Sequence, residues 1–158
     1  YDFGQLTLPF DNVDEEYLQK PRTFSLKSLK NFMLFMGPLS SAFDLIVFAC
    51  LWFVFKLRDP ALFQTIWFTY SIVSNLLGMH IIRTAKIPFI QSNAHKMVYF
   101  SSIALLGILV PFTWLGNIIG LIPIPLPYMS IIIGVPILYC FVAMFAKKVY
   151  IKKYGEWI

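Results

Sequence analysis

Asp44 is the one charged residue in the otherwise uncharged stretch Phe32–Phe55. It lies about twelve residues from either end of an apolar helix, near a bilayer midplane, where a charge costs roughly 2.5–3.5 kcal/mol on insertion scales. Such a residue has to face a bundle interior, a cavity or a partner. At about 1.5 Å rise per residue, Tyr70 and Ser71 of the next apolar stretch stand at its level, with Ser74 and Asn75 one turn further on. Two chemistries fit. Asp44 is either a cation or proton site, or a hydrogen-bonded carboxyl that joins two helices. A lone carboxylate makes a poor site for a hard divalent ion, which favours the second reading.

The other reactive residue types carry less. Pro38, Pro111 and Pro136 release the carbonyls of Leu34, Gly107 and Ile132, and unwound carbonyls can hold ions, although they more often mark a kink. Gly37, Ser40, Ser41, Gly107 and Gly134 read as close-packing surfaces. His80 and His95 have no Cys or carboxylate at zinc spacing. Cys50 stands about 8 Å from one membrane face and Cys140 about 18 Å, a mismatch too large for a disulfide. No Gly-rich phosphate loop, nucleophile elbow or HExxH occurs, so no catalytic residue is assigned. In the C-terminal tail, Tyr150, Tyr154 and Trp157 recur at helical spacing among Lys147, Lys148, Lys152 and Lys153. That pattern predicts either an interfacial helix touching anionic lipid or ordinary snorkelling lysines at the end of a span.

The elements that position these residues follow from composition. Of 158 residues, 58% are hydrophobic and only 13% charged, with a mean hydropathy of +0.70. Soluble domains are about 45–50% apolar and about 25% charged, so the chain belongs with membrane proteins. No Lys, Arg, Asp or Glu occurs from Met97 to Ala146. That stretch holds two spans of roughly 20 residues, divided at Pro123, Pro125 and Pro127. The spans expected are 32–55, 61–82, 97–116 and 128–146: an all-α, four-transmembrane-helix bundle. Residues 1–10 are apolar but short, 11–31 form a polar connection, and 147–158 form the tail. The start at Tyr1 without Met fits a piece of a longer chain.

Sidedness gives the net charge of +5 its meaning. Lys20, Arg22, Lys27, Lys30, Arg83, Lys86, Lys96, Lys147, Lys148, Lys152 and Lys153 fall on one side, against Lys56 and Arg58 on the other. Basic loops stay inside, which predicts two cytoplasmic ends and argues for a bilayer rather than nucleic acid as the partner.

Four stretches carry a family likeness: YDFGQLTLPFDNVDEEYLQKPR (Tyr1–Arg22), FMLFMGPLSSAFDL (Phe32–Leu45), IRTAKIPFIQS (Ile82–Ser92) and YIKKYGEWI (Tyr150–Ile158). Together they resemble the bacterial magnesium-transporting P-type ATPases from end to end. The resemblance implies the C-terminal membrane part of an ATP-driven Mg2+ importer in the bacterial inner membrane, with residues 1–10 ending the sixth transmembrane helix and helices seven to ten following. It further implies that Asp2 is a Mg2+ ligand, with Gln5 one turn along offering a further oxygen; read alone, Asp2 is an ordinary polar residue. Asp44 matches an Asp of the family's seventh helix, and no ligand role transfers to it. Mg2+ would be cargo and, with ATP, a requirement of the parent pump. The phosphorylation motif DKTGT, the loop TGES and a nucleotide-binding domain are missing from these residues, so the partners implied are the remaining helices and cytoplasmic domains. A stand-alone four-helix scaffold or regulatory subunit, or a cation-coupled carrier using Asp44, are the competing readings.

Overall fold

In the computed structural model, which describes residues 5–12, 25–88, 91–92, 95–155 and 157, three helices are long and apolar enough to cross a membrane. The first, α1, spans Leu26–Ala49 and starts where the Ser25 hydroxyl accepts the Ser28 N–H at 3.3 Å. That satisfies one of the N–H groups a helix start leaves over. It runs through Pro38 and winds on into a π-helical segment, Cys50–Val54. The second, α2, spans Pro60–Ile82; Asp59 caps it by accepting the Ala61 N–H, and Pro60 takes the first turn, where its missing N–H costs nothing. α2 is the most enclosed of the three long helices.

The next segment departs from expectation. Residues 97–116 do not form one α-helical span: a short helix α3 (Lys96–Ser101) passes into a 3-10 run over Ser102–Phe112, then a one-turn helix α4 (Trp114–Ile118). Three residues stand out along the break. Pro111 has no N–H to continue an α ladder. Ser102 stands where α3 ends and is bonded to buried His80 of α2 at 2.8 Å. Gly107 lets Ile72 of α2 approach so closely that an added Cβ would sit 3.1 Å from its Cδ1. A 3-10 run rises about 2.0 Å per residue, so it gains reach over an α-helix of equal length. The fifth helix, α5 (Leu126–Tyr154), runs through Pro136 and closes on Gly155, whose positive φ of 80° favours glycine and whose N–H bonds the Ile151 carbonyl.

Three apolar clusters lie along α2, one of them small, made by Leu76, Met79 and Val98. At one end Leu51, Ile66, Tyr70 and Ile132 are fully buried; at the other Met36, Ile81, Tyr139 and Tyr150 close over its C-terminal half. Gly78 of α2 faces the Tyr139 ring of α5, with the hydroxyl 3.5 Å from where a Cβ would stand, so a small residue sets the helix approach. Thr65 pins the loop before α5 by accepting the Ile122 N–H at 3.1 Å. Leu126, Phe53, Phe141 and Phe145 point outward, as suits a surface solvated by lipid tails.

The broken segment yields a stability prediction. A Cβ at Gly116 would press on the Val110 carbonyl oxygen and on Pro111, both backbone, whereas Gly37 has nothing within 4 Å. Gly116→Ala is expected to destabilise by about 1–3 kcal/mol, the usual cost of overpacking, and Gly37→Ala to be neutral or better. Thermal unfolding of the two variants in detergent measures the difference.

Candidate functional site

Asp44 and Tyr70 meet inside the bundle. The Tyr70 hydroxyl donates to Asp44 Oδ1 at 3.3 Å. Tyr70 is fully buried and Asp44 half-buried. The bond is longer than the 2.5–3.0 Å usual for O–H···O, so it ranks with the weaker interhelical links. Of the four residues placed near Asp44 by depth, Tyr70 bonds it, Ser74 is buried, Ser71 is half-buried, and Asn75 is exposed. Among the described residues no three His, Cys, Asp or Glu side chains gather as a metal would need. As seen here, Asp44 joins α1 to α2.

The densest polar chemistry lies elsewhere, at the C-terminal end of α2. A helix leaves its last carbonyls without intrahelical donors. Here a side chain distant in sequence supplies one of them, and another serves the carbonyls of the chain that follows. Trp157 Nε1 donates to the Ile82 carbonyl at 2.9 Å. Lys147 Nζ donates to the Thr84 carbonyl at 2.8 Å and to the Lys86 carbonyl at 3.2 Å. The ammonium also lies 5.2 Å from the Trp157 ring centre, within cation–π range, and a cation at a helix C-terminus is favoured by the dipole. Lys147 is only 3% exposed and Trp157 2%.

This corrects part of the expected lipid-facing set. Lys147 and Trp157 point inward, and so does Tyr150, whose ring packs 5.4 Å from Phe35 and 5.5 Å from Trp157 and whose hydroxyl reaches the Ser28 carbonyl. Phe32 of α1 completes the aromatic group at 5.1 Å from Trp157. A helical stripe of aromatics and lysines has the same spacing whether it meets lipid or another helix. Here the carbonyls beyond α2 and the aromatics of α1 claimed it. Lys148, Lys152, Lys153 and Tyr154 remain exposed.

A second polar group at this end had no place in the reading of the sequence. Arg83, which caps α2, donates to Asp11 Oδ2 at 2.7 Å and to the Ser92 carbonyl at 2.9 Å. Asp11 Oδ1 accepts the His95 N–H at 2.8 Å. The opposite charges and the distinctive IRTAKIPFIQS stretch were the available signals, but nothing in the spacing paired residues so far apart. Gln5 is exposed, and Asp2 lies outside the described residues.

With this arrangement in place, the comparisons with known proteins are informative. The family model described as "Cation transporting ATPase, C-terminus" matches residues 2–149. The chain belongs to that family. It is 44% identical over 99% of its length to a protein of Salmonella typhimurium named magnesium-transporting ATPase, P-type 1, and covers 18% of that protein. A protein of Escherichia coli K12 with the same name is 38% identical over 98% of the chain, again with 18% of its length covered. The chain thus spans under a fifth of the relatives it matches. The family match over residues 2–149 takes in the hydroxyl-linked Asp44, the Asp11–Arg83 pair and buried Lys147, while Trp157 lies beyond it.

Two outcomes follow from these contacts. Tyr70→Phe should destabilise by about 0.6 kcal/mol and at most about 1.7 kcal/mol, the range of interhelical hydrogen bonds in membranes, and a double-mutant cycle with Asp44→Asn should recover that coupling in unfolding titrations. Lys147→Gln should destabilise by about 1.5–3 kcal/mol, the worth of hydrogen bonds from a charged donor, whereas Lys152→Gln at the exposed end should stay within about 0.5 kcal/mol. Thermal unfolding in detergent separates the two lysines.

Proposed function

We propose that this chain is the C-terminal membrane part of an ATP-driven Mg2+ import pump, lodged in a bacterial inner membrane with both ends cytoplasmic. The observation that carries the reading is the 44% identity, over nearly the whole chain, to a protein named as a magnesium-transporting ATPase. The membrane-length helices and the one-sided basic residues support it. The segment's work is to brace the transport core and to contribute a ligand. ATP chemistry belongs to the parent's other domains, since no phosphorylation motif occurs in these residues.

Asp2 is the ligand assigned. Mg2+ is hard, takes oxygen ligands in near-octahedral geometry and keeps several waters, so a single carboxylate with Gln5 nearby supplies a share of the shell rather than a cage. Other helices of the pump complete it. Entry of a divalent ion into a negative cytoplasm gains roughly 4.6 kcal/mol per 100 mV, so ATP serves uptake against steep chemical gradients and its control. The exposed Lys148, Lys152, Lys153 and Tyr154 lie where anionic headgroups would be met, each Lys favoured there by about 1 kcal/mol.

In the full-length protein, Asp2→Asn is expected to abolish Mg2+ uptake in cells deprived of other Mg2+ importers while leaving the amount in the membrane unchanged. Uptake at the wild-type rate would overturn the ligand assignment.

A further inference from the structure

One face of α2 is covered at one end and bare along the rest. Near the C-terminal end, Leu76 and Met79 form a buried cluster with Val98 of α3, and Leu8 of the segment before α1 packs on it. Asn75 stands one turn before Met79 on the same face, and Ser71, Phe68 and Gln64 continue the line at helical spacing. There the cover stops. Gln64, Phe68 and Asn75 are exposed and Ser71 is half-buried.

A bare polar line on a membrane helix needs a reason. Among the described residues of the three long helices, Gln64 and Asn75 are the only exposed side-chain amides. α5, by contrast, turns Ile137, Leu138 and Phe141 outward. Gln64 lies in the first turn of α2, close to water at the membrane face. Asn75 lies deeper. Seven residues, about 10 Å, separate it from Ile82, where a helix of 23 residues ends. A helix of that length just crosses a hydrocarbon core of about 30 Å, so Asn75 falls within the core. Its side chain makes no hydrogen bond among the described residues. Lipid tails would leave two donors and an acceptor unsatisfied there, whereas polar side chains in membranes bond across to other helices.

We infer that the face of α2 from Phe68 to Asn75 is the docking surface for a transmembrane helix from the rest of the parent protein. That helix presents a hydrogen-bonding side chain at the depth of Asn75. The inference rests on the reading of this chain as one part of a larger pump. Two observations select the occupant. The bare face continues, without a break, the seat on which residues before α1 already lie, so chain that reaches the bundle at Leu8 arrives beside it. The chain also covers only 18% of the length of a relative, so the greater part of such a protein is available to supply the helix. Lipid would suit Phe68 but not Asn75, and the small side chain of Ser71 between them lets a second backbone come close.

The test uses the full-length protein in its native membrane, with a photoreactive benzophenone amino acid in place of Phe68 or, as a control, of Phe141. Each exchange puts one aromatic for another at an exposed position. After illumination, position 68 should be joined within a single molecule to a peptide outside these 158 residues, identified by mass spectrometry. Position 141 should not be joined to that peptide. A position 68 joined only to lipid, or to a second copy of the chain, would overturn the inference. A second measurement depends on sign alone. Asn75→Leu should lower the thermal midpoint of the full-length protein, because a polar group on the partner loses its bond. On a face covered by lipid the same change would raise the midpoint, so a rise or no shift also overturns the inference. If position 68 finds the upstream peptide in a protein that carries no Mg2+, the docking surface stands and the pump reading falls. If Mg2+ uptake is intact and position 68 meets only lipid, the pump reading stands and the docking surface falls.

Discussion

The carbonyls at the end of α2 must find donors, and most of this structure is arranged around how they do so. Ile82, Thr84 and Lys86 present backbone oxygens where the helix has stopped supplying N–H groups. Water could serve an exposed helix end. At an end covered by protein the donors have to be side chains, and here they come from α5 and the residue beyond it. Because Lys147 and Trp157 are committed to these oxygens, α5 is fixed in both depth and rotation against α2. The same commitment draws Tyr150 under Phe32 and Phe35 of α1. The three long helices are thus joined at one end by polar contacts to backbone, and elsewhere by apolar packing and the Asp44–Tyr70 bond.

That division suits a membrane part of a larger machine. Along the helices the contacts include small-residue packing such as Gly78 on Tyr139, and a Thr hydroxyl bonded to a loop amide. These give close approach without strong directionality. At the end of α2 the contacts are charged and directional, and they hold the chain on either side of the helices: Asp11 before α1 and Trp157 after α5. Forces arriving from outside the bundle would be met by this polar end rather than by the lipid-facing surface.

Much of the fold was legible because hydrophobicity and helix caps are local. The three uninterrupted spans follow from apolar length, and Asp59 and Pro60 mark the start of α2, whereas α1 begins at Leu26, behind the Ser25 cap and six residues before the expected span, inside the stretch read as a polar connection. The interrupted span was not, because the 3-10 run depends on how Gly107 meets Ile72 and how Ser102 meets His80, which are contacts between segments. Depth along a helix is simple arithmetic, which is why Tyr70 could be placed beside Asp44. Facing is harder. In helices apolar on every side, no periodic pattern says which side is inward, so Lys147 and Trp157 looked like residues for lipid. Their partners are backbone carbonyls, which have no letter in the sequence. Asp11 and Arg83 are visible as opposite charges, but 72 positions separate them and only the folded chain brings them together.

The claim that the end of α2 anchors the bundle is tested most directly by amide hydrogen exchange of the protein in detergent or nanodiscs. Residues 83–87, although they follow the helix, should exchange nearly as slowly as Ile66–Val73 in its middle. Lys147→Gln should speed 83–87 by at least about tenfold without changing Ile66–Val73, the mark of a local opening. Free exchange of 83–87 in the unaltered protein, or indifference to the loss of Lys147, would contradict the account.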